Sequence, residues 1–136
     1  MEYKFVSNDE MRVLLSKAEN QDTYPRIKYF FPKYMDECIH FLAFEADKIV
    51  GMLCLGNSYS HEKCYHLELV SVDQNFKNQG ISKHLLLLAI NFCKSSESAL
   101  SYGMVSEEGQ AYFMDSLNSM CKEHGVDLFS PHDELR

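Results

Sequence analysis

What this chain lacks narrows it before any motif is weighed. It has no cluster of Lys and Arg: 13 basic residues stand against 20 acidic ones, a net charge of −7, and neither sign is gathered into a run. Nucleic-acid binding needs clustered cations to displace phosphate counterions, so that class is not expected. A basic, amine-bearing acceptor suits the charge better, although net charge speaks mainly to encounter and solubility. The longest apolar run, Leu85-Leu86-Leu87-Leu88-Ala89-Ile90, is far too short for a bilayer, so no membrane partner is expected. The five cysteines (Cys38, Cys54, Cys64, Cys93 and Cys121) are odd in number and scattered, and no Cys-x(2–4)-Cys knuckle occurs. Neither a disulfide framework nor a structural zinc site is therefore expected. Met1 to Val6 is short, charged and strand-like, unlike a secretory leader, which makes reduced thiols in the cytoplasm the expectation. The phosphate-binding pattern Gly-x-x-x-x-Gly-Lys-Ser/Thr is absent too, which argues against a P-loop nucleotidase.

What is present suits one domain over 1–136. The chain has 136 residues, 46% of them hydrophobic, and surface scaling at this size buries about two-thirds of the unfolded chain's surface. Residues 2–6 alternate like a strand. Ser7 followed by Glu10 is a capping-box pattern, and Met11, Val13, Leu14 and Leu15 carry a helix to about residue 18. A second short helix is expected over 24–31, with Pro25 in its first turn and Pro32 as its stop. Strands follow over 38–45, 49–55 and 64–72, the first two as a hairpin across Ala46-Asp47-Lys48. Then come a helix over 81–94, a strand over 99–105, a helix over 107–123 stopped at Gly125, and a last strand over 126–129. No repeat, low-complexity tract or linker interrupts this order. It predicts an α/β architecture, a mixed sheet flanked by helices.

The most informative stretch is Lys77-Asn78-Gln79-Gly80-Ile81-Ser82, between the strand over 64–72 and the leucine-rich helix. The first amides of a helix have no intrahelical partner and lie at the positive end of its dipole, so such a loop can hold a phosphate. Gly80 supplies either unhindered backbone approach or a positive φ. With its flanks, the stretch resembles the Gln/Arg-x-x-Gly-x-Gly/Ala element of the GNAT superfamily of acyl-CoA-dependent N-acyltransferases. Lys77 stands in place of Gln or Arg and keeps a donor and a positive charge, while Ser82 is a small substitute for Gly or Ala. The element order covers nearly the whole chain, and the motif detail spans 67–88.

The resemblance implies a GNAT-like central mixed β-sheet and acetyl-CoA as cosubstrate, with no metal. It implies that Lys77, Asn78, Gln79, Gly80, Ile81, Ser82 and Lys83 cradle the pyrophosphate. It implies too that the backbone of Val70, Ser71 and Val72 pairs with the pantetheine arm where two strands splay apart. Transfer by direct attack needs a neutral amine, hence a general base. Glu68, in an otherwise apolar run between Leu67 and Leu69, is the first candidate; a half-exposed surface carboxylate is the plain alternative. His66 shares its strand face and can share or replace that role. Tyr112 is the candidate acid for the departing thiolate, although the family's tyrosine usually falls about one turn later; packing is the alternative reading for Tyr112. Ser106 is placed to hydrogen-bond the pantetheine. Tyr24, Tyr29, Phe30, Phe31 and Tyr34 form an aromatic group suited to wall an acceptor pocket or to cap the sheet.

Two Cys-x-His pairs, Cys38/His40 and Cys64/His66, lie on strands separated by a third, which counts against a shared metal. No cysteine sits at a helix start beside a base, which counts against a thiol nucleophile. The function expected is acetyl transfer from acetyl-CoA to a primary amine on a small molecule, a peptide N-terminus or a lysine. The alternative is a non-catalytic module of this fold that binds CoA or a protein partner. A homodimer is left open.

Overall fold

Ser7 opens the first helix as its spacing to Glu10 predicts. In the computed structural model, which describes residues 1–17, 19–20, 38–58, 62–103 and 110–130 (110–112 by backbone alone), the Ser7 hydroxyl accepts from the Glu10 amide at 3.3 Å. The Ser7 amide donates back to the Glu10 carboxylate at 3.3 Å, so two amides that a helix start leaves unpaired are satisfied. Helix α1 runs Asn8–Ser16 and buries Met11 and Leu15. It stops at Lys17, which is extended, before the expected boundary. Buried Asn20 secures that stop: its Nδ2 donates to Leu14 O at 2.7 Å, and its Oδ1 accepts from Ile49 N at 2.9 Å.

Among the described residues six strands form one sheet in chain order: β1 (Glu2–Val6), β2 (Ile39–Glu45), β3 (Lys48–Asn57), β4 (Cys64–Val72), β5 (Ala99–Tyr102) and β6 (Leu128–Phe129). β1 to β4 pair antiparallel, whereas β4 with β5 and β5 with β6 pair parallel. Parallel neighbours need a crossover. Helix α2 (Ile81–Ser95) carries the first and α3 (Gln110–His124) the second. With α1, these are the three helices among the described residues, and the fold is the mixed sheet expected. Strand β5 ends at Tyr102, earlier than its apolar composition suggests. The helix expected over 24–31 lies outside the described residues.

Each sheet face carries its own core. Val6, Met11, Leu15, Leu42, Phe44, Ile49, Met52 and Cys54 cluster on the α1 side. Phe41, Ala43, Leu53, Leu55, Leu67 and Leu100 meet α2 and α3 on the other. Helix α2 presents Ile81, Leu85, Leu86, Ala89, Ile90 and Cys93, the three-and-four spacing of a buried stripe. Gly51 in β3 lets the first turn of α2 approach closely. A Cβ there would lie 2.8 Å from Ile81 Cγ2 and 3.3 Å from Leu85 Cδ1. That contact sets where the helix begins over the sheet. No described helix is long and apolar enough to cross a membrane.

Candidate active site

Strand β4 organises the site through one extra residue. Opposite β3, Leu67 pairs with Leu55 and Leu69 with Cys54, so nothing in β3 faces Glu68. This is a β-bulge, which bends a strand and shifts its facing. Strict alternation would set Leu67 and Val70 on opposite faces. Instead Tyr65, Leu67, Val70 and Val72 all pack on the α2 side, and Leu69 joins the core on the α1 side.

The bulge sits at a fork. β4 and β5 pair from Cys64↔Ala99 to Leu67↔Tyr102 and no further, while β4 continues to Val72 beside β3 alone among the described strands. The far edge of the backbone at Val70, Ser71 and Val72 thus has no described strand partner, the disposition an extended ligand needs to add to a sheet.

Glu68 and His66 share the α1-side face but lean to opposite sides of β4. The Glu68 carboxylate lies over Gly56 of β3, where a Cβ would come within 2.8 Å of Oε1. Its negative charge also helps hold the Cys54 thiol protonated, after the hydrogen bond from Cys38 and after burial. His66 leans the other way: Nδ1 is 2.7 Å from the Ser101 hydroxyl of β5, and Nε2 is 3.6 Å from the place of a Gly103 Cβ. Gly56, His66 and Ser101 are register partners across β3, β4 and β5. None of Gly56, Ser101 and Gly103 was a sequence candidate, because a cross-strand row exists only once register is known.

Beyond Val72 the chain turns into the expected loop. Asp73 N donates to Val50 O at 2.7 Å, and the Asp73 side chain accepts from Asn75 N at 2.9 Å to open a single 3-10 turn, Gln74–Phe76. Asn78 (φ 66°) and Gly80 (φ 76°) are left-handed on either side of Gln79. Alternation of this kind makes anion-binding concavities in a backbone. Gly80 precedes α2 and gives it no side-chain cap. A Cβ at Gly80 would meet nothing within 4 Å, so its glycine is needed for the positive φ and not for space.

Lys77, Asn78, Gln79 and Lys83 are exposed and Ser82 is half-buried, so their side chains can reach a ligand. Ile81 is buried against Gly51 and has only its backbone to offer. These features fit a diphosphate at the start of α2 and an extended arm along β4.

Other candidates resolve differently. The side chain of Tyr112 and all of Ser106, Tyr24, Tyr29, Phe30, Phe31 and Tyr34 lie outside the described residues. The five cysteines are buried and unbridged, and burial pushes Cys93 up to about 12 and Cys121 to about 11, which leaves both as unreactive thiols. His40 donates from Nε2 to Asn8 Oδ1 at 2.7 Å, and burial lowers it to about 4. It belongs to the α1 contact, away from the fork between β4 and β5.

With this geometry in hand, a family model described as "Acetyltransferase (GNAT) family" matches residues 7–107. A search of curated proteins finds no match. Among solved structures, Tetrahymena GCN5 superposes with a TM-score of 0.65 at 15% identity, covering 85% of this chain and 78% of that one. An aminoglycoside acetyltransferase from an uncultured soil metagenomic sample, in complex with sisomicin, gives 0.57 at 18% identity, covering 88% and 86%. An IAA acetyltransferase from Bacillus cereus gives 0.57 at 16% identity, covering 90% and 73%. At these identities the structural likeness speaks to the fold.

Proposed function

Because the chain belongs to the GNAT acetyltransferase family, we propose that it moves the acetyl group of acetyl-CoA to a primary amine by direct attack. The observation that carries this reading is the fork beyond Leu67↔Tyr102, with a carboxylate at its bulge and a glycine-opened helix at its far end. Acetyl-CoA supplies the activated acyl group. One C–S bond is exchanged for one N–C bond, and the amine's proton leaves as the thiolate gains one.

The chain's own residues divide that work. Backbone amides from Asn78 to Lys83 hold the pyrophosphate with help from the Lys77 charge, and the open edge at Val70, Ser71 and Val72 aligns the arm. Glu68 takes the amine proton, directly or through one water. Tyr112 is the proposed proton donor to sulfur. The acceptor is an amine on a small molecule, a peptide N-terminus or a lysine; the acidic net charge favours cationic encounter and disfavours nucleic acid. The cytoplasm is the proposed compartment.

Incubation with acetyl-CoA and an amine panel, read by mass spectrometry, tests transfer. Melting with and without acetyl-CoA tests binding. A ligand bound only by the folded state adds about 2.7 kcal/mol at a hundredfold excess over Kd, several degrees at this size. Glu68→Gln should lower turnover about 10²-fold with acetyl-CoA affinity unchanged. Binding without transfer to any amine would favour a non-catalytic module, and no melting shift at millimolar acetyl-CoA would refute the cradle.

A further inference from the structure

β1 is the outer strand of the sheet. It pairs with β2 through Glu2–Val6 without a bulge, and among the described residues no strand pairs with its other edge. An open edge presents a row of N–H and C=O groups, and folds usually blunt it with proline, a bulge or charge. β1 has neither proline nor bulge. Its side chains alternate between the two faces. On the α2 side, Tyr3 stacks on His84 of α2 with ring centroids 3.9 Å apart, and Phe5 lies 5.7 Å from Phe92 of α2 and 5.4 Å from Phe41. Lys4 takes the α1 side, over the Phe44 ring, with the Glu2 carboxylate 3.6 Å from its Nζ. Met1 and Phe5 are nonetheless 53% and 54% exposed, large apolar side chains left open at this edge.

We infer that this edge pairs with the same edge of a second copy of the chain, antiparallel about a two-fold axis at Tyr3. Met1-Glu2-Tyr3-Lys4-Phe5 has a self-complementary order: apolar, acidic, aromatic, basic, apolar. With Tyr3 opposite Tyr3 of the second copy, Glu2 meets Lys4 twice and Met1 meets Phe5 twice. Opposite charges directly across two strands favour pairing, and like charges oppose it. A two-fold axis perpendicular to the sheet keeps each face on its own side, so the nearest other registers centre on Glu2 or on Lys4. Those registers set Glu2 against Glu2 or Lys4 against Lys4. The register at Tyr3 alone matches both charges and covers both exposed apolar side chains. Phe5 is already held by Phe41 and Phe92, so it has little freedom left to lose on association. β2 and β3 stand between this edge and β4, so the pairing leaves the fork of each copy to its ligand. It is independent of what the fork catalyses.

Sedimentation velocity of the chain, free of any N-terminal tag, should show a reversible dimer across the micromolar range. Lys4→Glu and Glu2→Lys should each weaken it about tenfold or more, because two attractive pairs become repulsive. The two substitutions move the net charge in opposite directions. General repulsion between acidic chains would therefore weaken one dimer and strengthen the other, whereas the register predicts a loss in both.

Mixing separates contact between copies from the ion pair within one chain. The Lys4→Glu and Glu2→Lys chains, each monomeric by itself, should dimerise with one another, since every charged pair across the axis is again of opposite sign. Melting checks that both variants are folded, which their exposed positions lead us to expect. A wild-type chain that stays monomeric leaves the edge to a strand of some other protein and overturns the inference. A dimer that either substitution leaves intact lies on another surface and overturns it too, as does a mixture that stays monomeric.

Discussion

Gly56→Ala separates the position of the Glu68 carboxylate from the stability of the sheet. The added Cβ would lie 2.8 Å from Oε1, 3.2 Å from Cγ and 3.3 Å from Cδ of Glu68. Ordinary carbon contacts begin near ~3.5 Å, so the carboxylate has to withdraw by about 0.7 Å. Gly56 is not among the positive-φ glycines, so alanine adopts its backbone without strain. Restricting the unfolded chain favours the variant by about 0.4–1 kcal/mol, and pushing one flexible side chain off its rotamer costs about 0.5–1.5 kcal/mol. The two nearly cancel, and the melting temperature should move by no more than a few degrees. Catalysis has no such compensation: misplacing a reacting group by about 1 Å costs up to about 10²-fold, so kcat should fall about tenfold. The assay is steady-state acetylation by wild type, Gly56→Ala, Glu68→Ala and the double variant. In the Glu68→Ala background the glycine substitution should have no further effect, because what it displaces is already gone. Equal losses in both backgrounds, or wild-type kcat in Gly56→Ala, would refute the assignment of Glu68 as a positioned base.

Three further expectations follow from the same geometry. Gly80→Glu forces a left-handed backbone on a residue with a Cβ, at about 1–2 kcal/mol, and sets a carboxylate at the phosphate site; calorimetry should show a folded protein with no melting shift on acetyl-CoA, and a retained shift would move the cradle elsewhere. Gly51→Ala drives a methyl into Ile81 and Leu85, and urea titration should show a loss of about 1–3 kcal/mol, the usual cost of forcing a methyl into a packed core. Burial depresses His40 to about 4, so the unfolded chain binds the extra proton first: stability is full above about pH 6.5 and is lost as pH falls towards 4, by up to about 3 kcal/mol. His40→Gln should flatten stability across that window, and an unchanged acid limb would remove His40 as its cause.

The parts of this fold that local chemistry dictates could be read from the residues. The Ser7/Glu10 capping box closes within four residues, the apolar run of β4 carries its own limits, and the glycine before α2 marks the loop whose backbone the structure finds left-handed. What escaped depends on partners far along the chain. Alternation alone set Glu68 and His66 on one face, which is correct, but not that they lean apart, because the bulge comes from the register against β3. Ser101 looks like any small residue in Ala99-Leu100-Ser101-Tyr102 until parallel pairing brings it opposite His66. Asn20 looks like a loop residue, and its role as a buried tie between α1 and β3 requires Ile49 to be 29 positions away in sequence and adjacent in space. Helix and strand boundaries that fail by two or three residues, at Ser16 and Tyr102, fail where backbone partners and not composition decide the end.

The single surplus residue in β4 acts as a phase slip. Before it, the odd-numbered side chains Tyr65 and Leu67 pack under α2; after it, the even-numbered Val70 and Val72 do. A scan placing aspartate at each position from 64 to 72 should therefore give a stability profile whose period of two breaks at Glu68 and resumes inverted. Glu68 itself answers to neither half of the strand, because it is the one position whose side chain the sheet does not count. A polar group can occupy it, change or move without either core being repacked. Deleting that one residue would rejoin the two halves in a single phase: Leu67, Val70 and Val72 would stay beneath α2 with Leu69 still opposite Cys54, and only the bend and its carboxylate would be lost.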